Sequence, residues 1–220
     1  MATIKQIARR QLAEGGTGGL SLRAIARDMQ LSPGALFRYF ANQAELITEL
    51  CVDANNALAE AVIGATSKAE ASGPRAQWLA GCHAARSWAL THPSDFAMIN
   101  GTPIPQFEAR TEDTGPSAVR IISAVAAPYL AAVASGAADP ANTQMIGIKA
   151  GPLLRALLGD VADTAGPVPA VVMSAWMSVL GFIAAEVFGS VDQLVADADQ
   201  FYECHLATVT LGMGFTPADL

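Results

Sequence analysis

The chain has 220 residues, 52% hydrophobic and 15% charged. That balance excludes a disordered chain and suits one small module plus one larger one. The net charge of −7 argues against a uniformly anion-binding surface, but residues 1–43 hold six of the 13 Lys and Arg and two of the 20 Asp and Glu, so this head carries +4 and residues 44–220 carry −11. Such asymmetry suggests a basic head that meets an anion and an acidic body that does not; the alternative is a solvated basic helix face.

Alanine is abundant, which favours helix over sheet. Cys51, Cys82 and Cys204 are odd in number and widely spaced. They do not form a disulfide framework, so a reducing compartment, the cytoplasm, is expected. The N-terminus enters an amphipathic pattern directly and does not resemble a signal peptide.

The first helix is predicted over Thr3–Glu14, with Ile4, Ile7, Ala8 and Leu12 on one apolar stripe and Lys5, Arg9 and Arg10 off it. The run Gly15–Gly19 ends it. This run follows a helix and lacks G-x-G-x-x-G spacing, so a phosphate-cradling loop is rejected. Ser21 caps a second helix, whose Leu22, Ile25, Ala26 and Met29 face inward and whose Arg23 and Arg27 face out. Ser32 caps a very short third helix, Pro33 to Phe40, anchored by Leu36 and Phe40. Asn42 and Glu45 form a capping box for a fourth, with the stripe Leu46, Leu50, Ala54, Leu58 and Val62.

Two short helices around a tight turn, braced by a helix before and one after, make a helix-turn-helix. Such a helix fits the major groove, with its N-terminal residues at base edges and its free N–H groups near phosphate. Gly34 and Ala35 would let the backbone approach closely. Arg38 and Tyr39 would project as donors, and Phe37 would touch a thymine methyl or sugar. The competing reading packs Phe37 and Tyr39 against neighbouring helices.

The string LSLRAIARDMQLSPGALFRYFANQAEL, residues 20–46, resembles the DNA-binding head of TetR-family regulators. Ala24 and Ala26 match the centre of the second helix, Ser32–Pro33–Gly34 the turn, and Phe37–Arg38–Tyr39–Phe40 the aromatic block. The resemblance implies DNA contacts from Ser21, Arg23, Ser32, Gly34, Ala35, Phe37, Arg38, Tyr39 and Gln43. Three positions depart from the family pattern. Phe37 stands where a tyrosine usually meets phosphate, Gln43 where a lysine does, and Gln30 where the turn often has glycine. A left-handed Gln30 would cost about 1 kcal/mol. With no basic arm ahead of the first helix, fewer phosphate contacts and weaker, less salt-dependent binding are expected.

In the body, helices are predicted over Pro74–Leu90, Pro93–Asn100, Pro116–Ser135 with a kink at Pro128, Asn142–Leu158, Pro169–Phe188 and Val191–Met213, with a loop at Gly101–Gly115. Residues 168–185 carry no charge and are long enough to span a membrane. Prolines open the run, Glu186 closes it and no basic cluster flanks it, so a buried bundle or dimer helix is expected instead. The segments WLAGCHAARSWALTHPSDFAMI and AWMSVLGFIAAEVFG, with Trp176 and Gly181 as landmarks, resemble one C-terminal subfamily of the same regulators.

The expected architecture is all-α. A helix-turn-helix domain, residues 1–48, is joined to a helical ligand-sensing domain, residues 49–220, that dimerises through its last two helices. A cavity lined by Trp78, Cys82, Phe96, Met98, Tyr129, Met145 and Trp176 would take a small, mainly apolar or aromatic effector; the plain alternative is that these residues are core. Cys82–His83 and Cys204–His205 invite a nucleophile or metal reading. Adjacent helical residues point about 100° apart, however, and no spaced zinc motif surrounds them. No enzyme activity, metal or cofactor is expected. The expected partners are double-stranded operator DNA, the effector and a second copy, with no membrane. A repressor released by its effector is the expected function; the alternative is a small-molecule sensor or carrier with weakened or lost DNA binding.

Overall fold

The computed structural model describes residues 1–15, 19–101, 111–159 and 166–216. Among them the regular elements are helical: α1 (Ala2–Gly15), α2 (Leu22–Asp28), α3 (Pro33–Leu36), α4 (Gln43–Lys68), α5 (Pro74–Thr91), α6 (Pro93–Asn100), α7 (Thr111–Ser135), α8 (Pro152–Leu158), α9 (Val168–Val187) and α10 (Ala198–Gly212). One isolated antiparallel bridge joins Ala138 to Phe215. The chain divides into two compact units. The first is Met1–Asn55 with His92–Pro116, and the second is Asn56–Thr91 with Ser117–Leu220.

In the first unit the stripes read from sequence converge. Ile4 and Ala8 of α1, Leu22, Ile25 and Ala26 of α2, and Leu46, Ile47, Leu50 and Cys51 of α4 close around Leu36 and Phe40. Burying a side chain of this size contributes roughly 1.5–3 kcal/mol. Ser21 Oγ accepts the Ala24 N–H to cap α2, and Ser32 Oγ accepts the Ala35 N–H to cap α3. At the head of α4, Asn42 Oδ1 accepts the Glu45 N–H while Glu45 Oε2 accepts the Ala41 N–H.

α2 ends in a Schellman motif. The Leu31 N–H reaches the Ala26 carbonyl and the Gln30 N–H the Arg27 carbonyl. That closure puts Gln30 at φ 57°, the left-handed region that favours glycine. α9 ends the same way, through Ser190 to Ala185 and Gly189 to Glu186, but there a glycine holds the left-handed position.

In the second unit α9 packs on α10 and α5. The uncharged run of α9 buries Val171, Val172, Ala175, Trp176, Val179, Phe182 and Ile183 within this chain and leaves Ser174, Met177 and Gly181 exposed. Both α7, from Asp113, and α9 are long and apolar enough to cross a membrane, at mean hydropathies of 1.6 and 1.9; 56% of the α9 window is buried. Where α9 ends, Arg86 of α5 donates two hydrogen bonds to Glu186, at 2.7 and 2.5 Å, and one to Asp199 of α10 at 2.6 Å. Its guanidinium also lies 4.8 Å from the Tyr202 ring centre.

Four expected boundaries differ. The regular helix α3 ends at Leu36. The chain then tightens, with the Tyr39 N–H on the Leu36 carbonyl three residues back. α7 is already helical at Thr111, inside the expected loop, and runs through Gly115–Pro116 without a break. The helix expected over Asn142–Leu158 is irregular to Gly151 and helical only from Pro152. Proline holds Gly151 extended, at ψ 172°, and the β-branched Ile146 and Ile148 lower helix propensity before it. The last helix begins at Ala198 rather than Val191, because Asp197 Oδ1 accepts the Gln200 N–H and caps it there. Residues 16–18 of the expected glycine turn and residues 102–110 of the expected loop lie outside the described residues.

Gln30→Gly should raise the unfolding free energy by about 0.5–1 kcal/mol, because glycine removes the left-handed strain and leaves both backbone bonds in place. Urea denaturation checks it, and a loss of stability would contradict the strain.

Candidate nucleic-acid interface

α3 and the turn after it alternate in burial. Leu36 and Phe40 are 1% exposed, whereas Phe37 and Tyr39 are 46% and 52% exposed and Arg38 is open to solvent. The two anchors lie four residues apart and face the core, so the three residues between them face outward. Ser32 and Gly34 are exposed beside them, and Ala35 is half-buried. A Cβ built on Gly34 would meet nothing within 4 Å, so the fold itself does not require glycine there. Ser21 and Gln43 are half-buried, and Arg23 is exposed on α2. Of the nine residues expected to contact DNA, Phe37, Arg38 and Tyr39 form one continuous exposed segment, and Ser32 and Gly34 are exposed ahead of the Leu36 anchor. Ser21 and Ser32 also have a structural task as caps.

The electrostatics are more selective than the sequence total. Lys5 bonds Glu49 at 3.0 Å and Asp53 at 2.8 Å. Arg9 meets Asp95 of α6 at 3.0 Å and Asp53 at 3.5 Å, and Arg10 meets Asp28 at 3.1 Å. Burial works against the Lys5 charge, but the hydrogen bonds it donates to Asp53 and Glu49 more than offset it and hold its pKa above the ordinary lysine value. Three of the six basic groups of the head are therefore engaged with acidic side chains of α2, α4 and α6. Arg23, Arg27 and Arg38 have no charged partner among the described residues, and they are the cations open to an external anion.

The seven residues expected to line an effector cavity divide between the two units. Met98 packs on the first unit's core, and Phe96 is buried in the same unit. The other five belong to the second unit. There Trp78, Cys82, Tyr129 and Trp176 are buried side chains. The Trp78 indole N–H donates to Thr210 Oγ1 at 3.2 Å, and the Tyr129 hydroxyl donates to the Met213 carbonyl at 3.0 Å. Burial pushes the Tyr129 hydroxyl up to about 12. Met145 lines a groove of about 130 Å³ together with Ser174, Ser178 and Val209. A larger groove of about 350 Å³ lies among α7, α8 and α9, lined by Val119, Ile122, Leu153, Leu154, Leu157 and Met173. Sequence reading missed these residues, since each looks like an ordinary stripe residue of its own helix.

Burial also raises the two inner thiols, Cys51 to about 11 with Asp95 adding to the effect, and Cys82 further. Both stay protonated at neutral pH and are poor nucleophiles. Cys204 is exposed, and no cluster of three His, Cys, Asp or Glu side chains that could hold a metal occurs among the described residues.

Residues 4–50 match the family model described as bacterial regulatory proteins, tetR family, and residues 78–209 match the tetracyclin repressor-like C-terminal domain. HTH-type transcriptional regulators of Mycobacterium bovis and Mycobacterium tuberculosis are each 33% identical over 196 residues, covering 86% of this chain and 80% of the relative. The crystal structure of the regulatory protein SCO4313 superposes with a TM-score of 0.72 at 29% identity, covering 94% of this chain and 93% of that one. A bacterial regulatory protein in the tetR family from Rhodococcus RHA1 shares the fold, with a TM-score of 0.62 at 13% identity over 98% of this chain and 97% of its own.

Thr210→Val should lower the unfolding free energy by about 1–3 kcal/mol, because it leaves the buried Trp78 N–H without an acceptor. Thermal melts monitored by circular dichroism read this, and an unchanged melt would mean that Trp78 finds another partner.

Proposed function

Because the chain belongs to the TetR family of transcriptional regulators, we propose that it is a repressor that grips operator DNA with α3 and is released by a small, mainly apolar or aromatic effector. One observation carries the DNA half of this reading: Phe37, Arg38 and Tyr39 stand exposed between two buried anchors on a capped segment. Arg38 and Tyr39 supply donors to base edges and phosphate, and Gly34 and Ala35 permit close approach of the backbone. Arg23 and Arg27 of α2 flank them as phosphate contacts, with the capping hydroxyls of Ser21 and Ser32 and the amide of Gln43.

The partner in this reading is a second copy. On α9 and its C-cap the exposed positions Ser174, Met177, Gly181 and Phe188 recur at spacings of three, four and seven, and on α10 Phe201, Cys204, Thr208 and Leu211 recur at three and four. These uncharged stripes run along two helices that pack together, which suits a four-helix contact around a two-fold axis. Such a dimer would present two α3 segments to half-sites about one helical turn apart.

Effector release requires unequal affinity for the two DNA-binding states. α4 is the lever in this reading, because one unbroken helix runs from the Asn42 cap beside α3 to Lys68. In the second unit, Arg120 of α7 holds its later turns by hydrogen bonds to Asn56, at 2.6 Å, and to Glu60. The cytoplasm is the expected location of such a regulator. A second reading, a sensor with weakened DNA binding, draws on Phe37, which has no hydroxyl, and on the three engaged cations.

Gel shifts on DNA from upstream of the chain's own coding region test the assignment. Arg38→Ala and Tyr39→Ala should each weaken specific binding by about 1–3 kcal/mol. Unchanged affinity in both would remove α3 as the reading element. Met177→Glu, which sets a charge in the α9 stripe, should yield monomers in sedimentation velocity with weaker DNA binding; a dimer of undiminished stability would exclude that stripe as the interface.

A further inference from the structure

The groove of about 350 Å³ among α7, α8 and α9 is within the size range of small-molecule sites. Val119 and Ile122 form one wall, Leu154 and Leu157 a second, and Met173 a third, with Leu153 at the mouth, 47% exposed. No charged side chain lines it. The two cations nearest in sequence to its lining are directed elsewhere. Arg120 bonds Asn56 and Glu60, and the Arg155 guanidinium donates to the Ala150 carbonyl at 3.2 Å.

A carboxylate entering the groove would lose its hydration without gaining a partner, and an ammonium would fare the same. A neutral hydrocarbon body loses little, and it regains dispersion contacts with side chains that otherwise face an open space. Only apolar contact therefore selects the occupant, and selection by shape and polarity replaces selection by a polar anchor.

We propose that this groove, rather than a cavity around Trp78 and Tyr129, is the effector site, and that it takes a neutral, mainly hydrocarbon molecule such as a medium-chain alcohol, an ester or a fused-ring hydrocarbon. The word effector rests on the regulator reading above; the binding itself does not.

The test uses the full chain and the neutral fluorescent probe N-phenyl-1-naphthylamine, titrated in the absence of DNA. Saturable binding should appear, with 1-decanol displacing the probe and decanoate needing at least about tenfold more. Leu154→Trp, which fills the groove, and Leu153→Glu, which places a charge at its mouth, should each weaken the probe about tenfold or more with an unchanged circular dichroism spectrum. Leu153 is half-exposed, so that variant carries the test if the tryptophan variant fails to fold. No saturable binding, binding that ignores the folded variants, or decanoate competing as well as decanol would overturn the proposal. Because no DNA is present, a chain that binds the probe but no operator refutes the regulator reading alone, and one that shifts DNA but ignores the probe refutes the groove alone.

Discussion

The burial of Leu36 and Phe40 governs the rest. A helix of four residues cannot hold itself, since forming its first turn costs more conformational entropy than one hydrogen bond returns. Two apolar side chains, each contributing roughly 1.5–3 kcal/mol on burial, together with the Ser32 cap, fix the segment from outside. Once both anchors point inward, the side chains at 37, 38 and 39 point outward. Exposure of these three side chains is thus a consequence of core packing.

Electrostatics act on top of that frame. Lys5, Arg9 and Arg10 tie α1 to α2, α4 and α6 within one unit, and so lend their charge to the fold rather than to a partner. Arg23, Arg27 and Arg38 are exposed and, among the described residues, without an acidic partner, so the proposed DNA contact falls to them. Release of counterions from phosphate scales with the number of such contacts, so in the proposed reading affinity would depend less on salt than the count of basic residues implies. Asp95 brings α6 into the same network, and Met98 and Ile99 pack it on the head core. A helix distant in sequence is therefore part of the unit that bears the candidate interface.

Much of this was legible beforehand because the head obeys local rules. Ile4, Ile7, Ala8 and Leu12, then Leu22, Ile25, Ala26 and Met29, repeat at helical spacing, and Ser21, Ser32 and Asn42 mark helix starts that bonded caps occupy. The strain at Gln30 was visible as a departure from glycine. The body resisted for physical reasons. Gly151–Pro152 and Asp197 override apolar periodicity by local backbone preference. α6 is too short for its stripe to name its neighbours, so the expectation that sets Phe96 and Met98 beside Trp78 and Tyr129 rests on residue type alone. A large aromatic is as well suited to a core as to a cavity; Trp78 and Tyr129 are buried with their polar atoms donating to Thr210 and Met213. The apolar groove arises from three helices at once, and no single stripe announces it.

The central claim is that α3 reads the major groove. It is tested most directly by selecting duplexes from a random library with the protein and footprinting the enriched sequence with dimethyl sulfate, which reports guanine N7 in that groove. The account predicts one enriched sequence with two protected half-sites about one helical turn apart. A library that yields no enriched duplex, or an enriched duplex whose guanine N7 atoms stay fully reactive, would contradict it.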